Sequence, residues 1–126
     1  MENEKIFERK KLKFASMIKR MLDEIVRKEI SDPRIGFITF TDIKPSSDMK
    51  NVSVFVDCFG SPEEQKKSFE ALKDARGYIR HILSKKLSMR FVPSIEFLKD
   101  ENKAQRVEEI LKELKKEEKT DERKDI

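Results

Sequence analysis

One histidine, one tyrosine, one cysteine, three glycines and no tryptophan leave this 126-residue chain little material for most kinds of chemistry. His81 has no second imidazole or thiol pair to complete a familiar zinc site, and a helix surface is its ordinary place. Cys58 excludes a disulfide framework and fits a reducing cytosol, and its apolar strand neighbours make it a core thiol before a nucleophile. Glycines at 36, 60 and 77 cannot form a Gly-x-x-Gly clamp, a P-loop or a serine elbow. Asp42, Asp48 and Asp57 lack the spacing of a calcium loop. The expectation is a protein that is not an enzyme and takes no metal or cofactor. No apolar run approaches the ~20 residues of a membrane helix. The N-terminal MENEKIFERKK has no apolar segment of a signal peptide, so cytoplasmic residence is expected. Asn and Gln are scarce beside Lys and Glu, a thermophile-like balance.

The most telling absence is of one sign of charge. Residues 75–95, ARGYIRHILSKKLSMRFVPSI, contain no Asp or Glu in a chain that is 43% charged, while Arg76, Arg80, Lys85, Lys86 and Arg90 supply five cations. Signs ordinarily mix along a solvated helix, so a window this lopsided points to an anionic partner, of which a phosphate backbone is the commonest. The competing explanation is a soluble, thermostable surface. Residues 1–92 carry 20 basic and 14 acidic groups, whereas residues 93–126 carry 9 and 11, so the positive character belongs to the body.

Periodicity predicts a long amphipathic helix over Lys5–Glu29. At ~100° per residue, Phe7, Phe14, Ile18, Met21, Leu22 and Ile25 share one arc, with Arg9, Lys13, Arg20 and Arg27 nearly opposite. Ser31-Asp32-Pro33 stops it. FITFTDIK and NVSVFVDCF read as two strands joined by a short Pro45–Asp48 turn, hence an antiparallel hairpin with Val52, Val54, Val56 and Cys58 on one face. Ser61 as N-cap, Pro62 at the first helical position and Glu64 closing a capping box open the next helix. Its stripe of Phe69, Leu72, Ala75, Ile79, Ile82 and Leu83 runs past Gly77, where a kink or a close backbone approach is expected. Pro93 precedes a third strand, Ser94–Leu98. Lys103–Glu118 forms a short helix with Val107, Ile110, Leu111 and Leu114 at helical spacing, and a disordered tail follows.

The order α-β-β-α-α-β predicts an α+β domain with a three-stranded mixed sheet, parallel across the helical crossover and covered by helices on one face. That is the type II K-homology topology. The strings SDPRIGFITFTDIKPSSDMKNVSVFVDCFGS and DARGYIRHILSKKLSMRFVPSIEF resemble the bacterial ribosome-binding factor A family over most of residues 8–100. The resemblance rests on Asp32-Pro33-Arg34-Ile35 before the first strand, the Ala75-Arg76-Gly77 kink with its basic helix, and Pro93 before the third strand. It implies a factor that binds free or immature 30S subunits and aids maturation of the 5′ end of 16S rRNA, especially in the cold. Residues 1–100 would be the K-homology-like domain and 101–126 the charged helix and tail. The expected partner is the small subunit, with an assembly GTPase as a further candidate, no membrane and a monomeric state.

Around Gly77, Arg80, His81, Ser84 and Lys85 fall away from the apolar stripe and expose a basic ridge. Arg76, Arg80 and Lys85 are expected on phosphates, which position a partner without reading its sequence. Lys86 and Arg90 extend the set. Arg9, Lys13, Arg20 and Arg27 form a second stripe, interrupted by Asp23 and Glu24, for which a plain solvated face is the equal alternative. Tyr78 and Phe91 are aromatic candidates for base stacking, with core or rim packing the other reading of Phe91. Two further function classes stand beside this one: a generic nucleic-acid binder, and a protein-interaction adaptor using the Val107–Leu114 stripe.

Overall fold

A computed structural model describes residues 2–87, 91–101 and 111–112, with side chains from residue 4 onward. Helix α1 spans Glu2–Lys28. Phe14, Ile18, Leu22 and Ile25 bury one face of its second half, whereas Phe7, expected on the same arc, is 42% exposed. Ile6 and Leu12 are exposed as well. For Ile6 and Phe7 the reason is length, since 27 residues at ~1.5 Å each carry the first turns past the sheet, whereas Leu12 borders an open cleft with Asp42–Pro45 of the first strand. Lys11 stands over the Phe7 ring at 5.8 Å.

Strands β1 (Ile38–Pro45) and β2 (Asn51–Cys58) pair antiparallel, with Ile38 opposite Cys58 and Pro45 opposite Val52. A bulge lies between Phe40 and Asp42. It reverses the alternation, so Phe40 and Ile43, three residues apart, both face the core. The connecting turn is held by Asp48, whose Oδ1 accepts from Ser46 Oγ (2.7 Å) and Lys50 N–H (3.0 Å). These bonds hold its carboxyl below the usual carboxylate range, the Ser46 hydroxyl first. Asp48 thus serves the turn.

Helix α2 (Pro62–Asp74) begins as its residues dictate: Ser61 Oγ accepts from Glu64 N–H, the Glu64 side chain accepts from Ser61 N–H, and Pro62 occupies the first turn. Helix α3 covers Arg76–Lys86, and β3 (Ser94–Lys99) pairs parallel to β2, from Asn51 opposite Ser94 to Val56 opposite Lys99. The sheet order is β1-β2-β3. Val52, Val54, Val56, Ile95 and Phe97 join Phe40 and Ile43 on the inner face, and Leu72, Ile79, Ile82 and Leu83 of α2 and α3 close over it beside α1. Cys58 is half-buried at the margin of this core. Burial, and then the charge of Asp57, pushes its thiol up, away from the reactive thiolate.

The segment before β1 is tied to α2. Ser68, a buried polar residue, accepts from Gly36 N–H (3.0 Å) and donates to the Arg34 carbonyl (3.2 Å). Arg34 itself reaches both Asp32 (2.9 Å) and Asp74 (3.1 Å), so the Asp-Pro-Arg stretch clips this segment to the end of α2. Of the helix expected over 103–118, only Leu111 and Lys112 belong to the described residues, both helical and exposed. The rest of that helix, with Val107, Ile110 and Leu114, and the tail lie outside them. Among the described residues no helix is long and apolar enough to cross a membrane.

Candidate nucleic-acid interface

The junction of α2 and α3 is built from the backbone outward. The α2 pattern ends at Ala75 (φ −80°, ψ −3°), whose N–H still bonds to the Ala71 carbonyl. Helix α3 then starts at Arg76 with no side-chain cap and no acidic residue in its first turn. Such a start carries the positive end of the helix dipole. Gly77 lies in that turn.

The crowding expected at Gly77 is absent. A Cβ placed there meets no atom within 4 Å, and the residue is exposed. The chain bends just before it, at Ala75, so Gly77 neither relieves a clash nor adopts a left-handed conformation. What it does is leave bare backbone on the wall of two adjoining clefts. One, about 490 Å³, lies between Arg76, Gly77 and Arg80 on one side and Asn51–Ser53 with Ser94–Glu96 on the other. The second, about 460 Å³, continues past Gly77 and Arg80 to His81, Ser84, Phe91 and Val92.

Arg76 and Arg80, one turn apart, therefore stand together at a solvent-open groove. Arg80 also donates from Nη2 to the Val92 carbonyl at 3.2 Å, which fixes its guanidinium beside the segment leading into β3. Glu96 is the acidic residue lining the first cleft. Lys85 is exposed but five residues beyond Arg80, about 140° around the helix, so it belongs to a different side of α3. Lys86 turns toward α1, where its Nζ lies 3.8 Å from Glu24 Oε1. The Lys28 hydrogen bond, then the Lys86 charge, holds the Glu24 carboxyl below the usual carboxylate range. Arg90 lies outside the described residues. The expected five-cation ridge is thus a pair at the groove with Lys85 set apart and Lys86 engaged elsewhere.

The α1 stripe divides as well. Arg9 and Lys13 are exposed on the first half of the helix, while Arg20 and Arg27 border a cleft of about 770 Å³ against the segment leading into β1. His81 and Tyr78 are exposed on α3. Phe91 is 72% exposed on the rim of the groove, which excludes the core position open to it from sequence. Residue patterns did not single out Asn51–Ser53 or Ser94–Glu96 as the opposite wall, because only strand pairing brings them to α3.

The topology defines a type II K-homology-like domain, and an uncapped helix start with one glycine forms a wall of its groove. The family model of ribosome-binding factor A matches residues 10–116, and the chain belongs to that family. A ribosome-binding factor A of Halothermothrix orenii is 35% identical over 111 residues, covering 86% of this chain and 91% of that protein. The crystal structure of ribosome-binding factor A from Thermus thermophilus superposes with a TM-score of 0.63 at 28% identity, over 71% of this chain and 93% of that one. A homology model of the Thermus thermophilus factor, fitted into a cryo-EM map of its complex with the 30S subunit, matches with a TM-score of 0.56 at 28% identity, over 67% of this chain and 88% of that one.

Proposed function

We propose that this protein is a non-catalytic assembly factor that binds free or immature small ribosomal subunits in the cytoplasm and aids maturation of the 5′ end of 16S rRNA. The observation that carries the reading is the pairing of Arg76 and Arg80 around the bare backbone of Gly77, in a groove open to solvent. Two guanidiniums and the positive end of α3 attract phosphate, and without a side chain on residue 77 a ribose-phosphate chain can approach the helix start. The Thermus thermophilus relative fitted on the 30S subunit supplies the partner. Residues 1–100 form the binding domain in this reading. Lys85 and Arg90 add long-range attraction, and neither a cofactor nor a catalytic group takes part.

Sedimentation of a cell extract tests it: the protein is expected with free small subunits and absent from polysomes. Changing Arg76, Arg80 and Lys85 to Glu should abolish co-sedimentation without unfolding the domain, since all three are exposed. The same change at Lys112, Lys115 and Lys116, whose sequence neighbours include Glu113, Glu117 and Glu118, should do much less. Equal losses from both triplets would show that net charge alone governs binding, and retention by the first would remove the groove from the interface.

A further inference from the structure

The larger cleft, between α1 and the segment leading into β1, is lined by charged and aromatic side chains that the α3 groove does not use. Three carboxylates line it, and each already has a cation: Asp23 pairs with Lys19 (3.9 Å), Glu24 with Lys28 (3.4 Å) and Asp32 with Arg34 (2.9 Å). Arg20 and Arg27, on the same face of α1 and about 10 Å apart along its axis, make no contact ion pair among the described residues, although the Arg27 charge also acts on Glu24. The carboxylates that border the cleft are thus matched by lysines and an arginine from around it, which leaves Arg20 and Arg27 as the cations facing it without a contact partner. Against these arginines stands Phe37, 73% exposed, the largest fraction for an aromatic side chain among the described residues. Its ring is held from one side by Phe59, with centroids 5.1 Å apart at 55°, and its backbone carbonyl accepts from Phe59 N–H at 3.0 Å. A solvent-facing aromatic ring backed by a second ring, lining one cleft with two arginines, is a combination suited to unpaired nucleotides, with the ring stacking a base and the cations meeting phosphates.

We infer that the Arg20–Arg27–Phe37 cleft binds a single-stranded stretch of RNA, a contact separate from the α3 groove. The inference rests on the proposed rRNA-binding role and adds to it where the chain holds an unpaired segment. A peptide is the competing occupant. Two guanidiniums outside any contact ion pair favour a polyanion over it, and the ring's π-face gives a base what an apolar side chain does not need.

The test uses the full chain and a fluorescein-labelled decauridine, titrated over a series of salt concentrations. Phe37→Leu keeps an apolar residue but removes the ring, and should weaken binding about tenfold with an unchanged salt slope. Phe37→Trp should bind at least as tightly as the parent. The double variant Arg20→Gln, Arg27→Gln should lower the log–log salt slope by about 1.4, near 0.7 for each single-strand phosphate that is no longer neutralised. Three results would overturn the inference: no saturable binding of decauridine by the parent, parental affinity in Phe37→Leu, or a weakening seen with intact subunits but not with protein-free 16S rRNA. Its failure is separable from failure of the proposed function. If the α3 triple variant loses subunits while Phe37→Leu binds RNA normally, only this cleft is excluded; subunit binding by the triple variant counts against the α3 groove whatever Phe37 does.

Discussion

Replacing Gly77 by alanine should stabilise the protein. A glycine in a helix is less favourable than alanine by about 0.5–1 kcal/mol, because the unfolded chain has more backbone freedom to lose. That gain is often cancelled by a clash, but here the new Cβ meets nothing within 4 Å and the backbone is not left-handed. Gly77 lies in the first turn of α3, where the propensity is only partly expressed, so the lower part of the range applies. For a domain of this size the corresponding rise in melting temperature is about 2–3 °C. Valine, whose stiff side chain loses rotamer freedom in a helix, should be nearly neutral. Both variants should bind small subunits less well, valine more so, because each fills space between the two clefts that Gly77 lines. Thermal unfolding followed by circular dichroism and co-sedimentation with purified subunits measure the two effects on the same preparations. A melting temperature lowered by alanine would refute the open environment of residue 77. Parental subunit binding by the valine variant would refute the use of its bare backbone.

Ser68→Ala should cost about 1–3 kcal/mol, read as a lower urea midpoint, because it removes both the acceptor of Gly36 N–H and the donor to the Arg34 carbonyl at a buried site. Ile18→Ala, at a fully buried point where α1 meets the sheet, should cost about 2–5 kcal/mol, and an effect below about 1 kcal/mol would show that α1 is not packed there. Asp32 gives a pH signature. The side-chain hydrogen bonds of Arg34, then its backbone N–H, lower the Asp32 pKa, so the linked stability is present above the unfolded-state value of about 4 and is lost as pH falls through the lower folded value. Asp32→Asn should lack that part of the acid dependence, so the stability difference between the two proteins should shrink as pH falls below about 4, and a constant offset between the curves across that range would contradict it.

Much of this architecture is legible without coordinates because its signals are local. The Ser61-Pro62-Glu63-Glu64 start depends on contacts within one turn, the β2 valines on strict alternation, and the basic window on a count of charges. These are interactions between residues at most a few positions apart, which a one-dimensional pattern records. The order of helices and strands then admits few topologies, and the mixed β1-β2-β3 sheet follows from it.

Tertiary structure decided the rest. The bulge after Phe40 sets which side of β1 is buried, and it is specified by the fit of Phe40 and Ile43 to the core, not by the alternation of β1 itself. Where α1 outruns the sheet, Phe7 meets solvent despite lying on the apolar arc. Lys86 is drawn to Glu24 on a different helix, while Arg80 is held beside Val92, so cations close in sequence part company in space. Gly77 reads from sequence as a crowded kink, and the packing of α3 leaves it open. Phe37 is one more strand-region aromatic in the pattern; only its position outside the core, next to Phe59 and across from Arg20 and Arg27, makes it a surface for a ligand. Each of these depends on which distant side chain arrives at a given place, and that is determined by how helices and sheet close over one another.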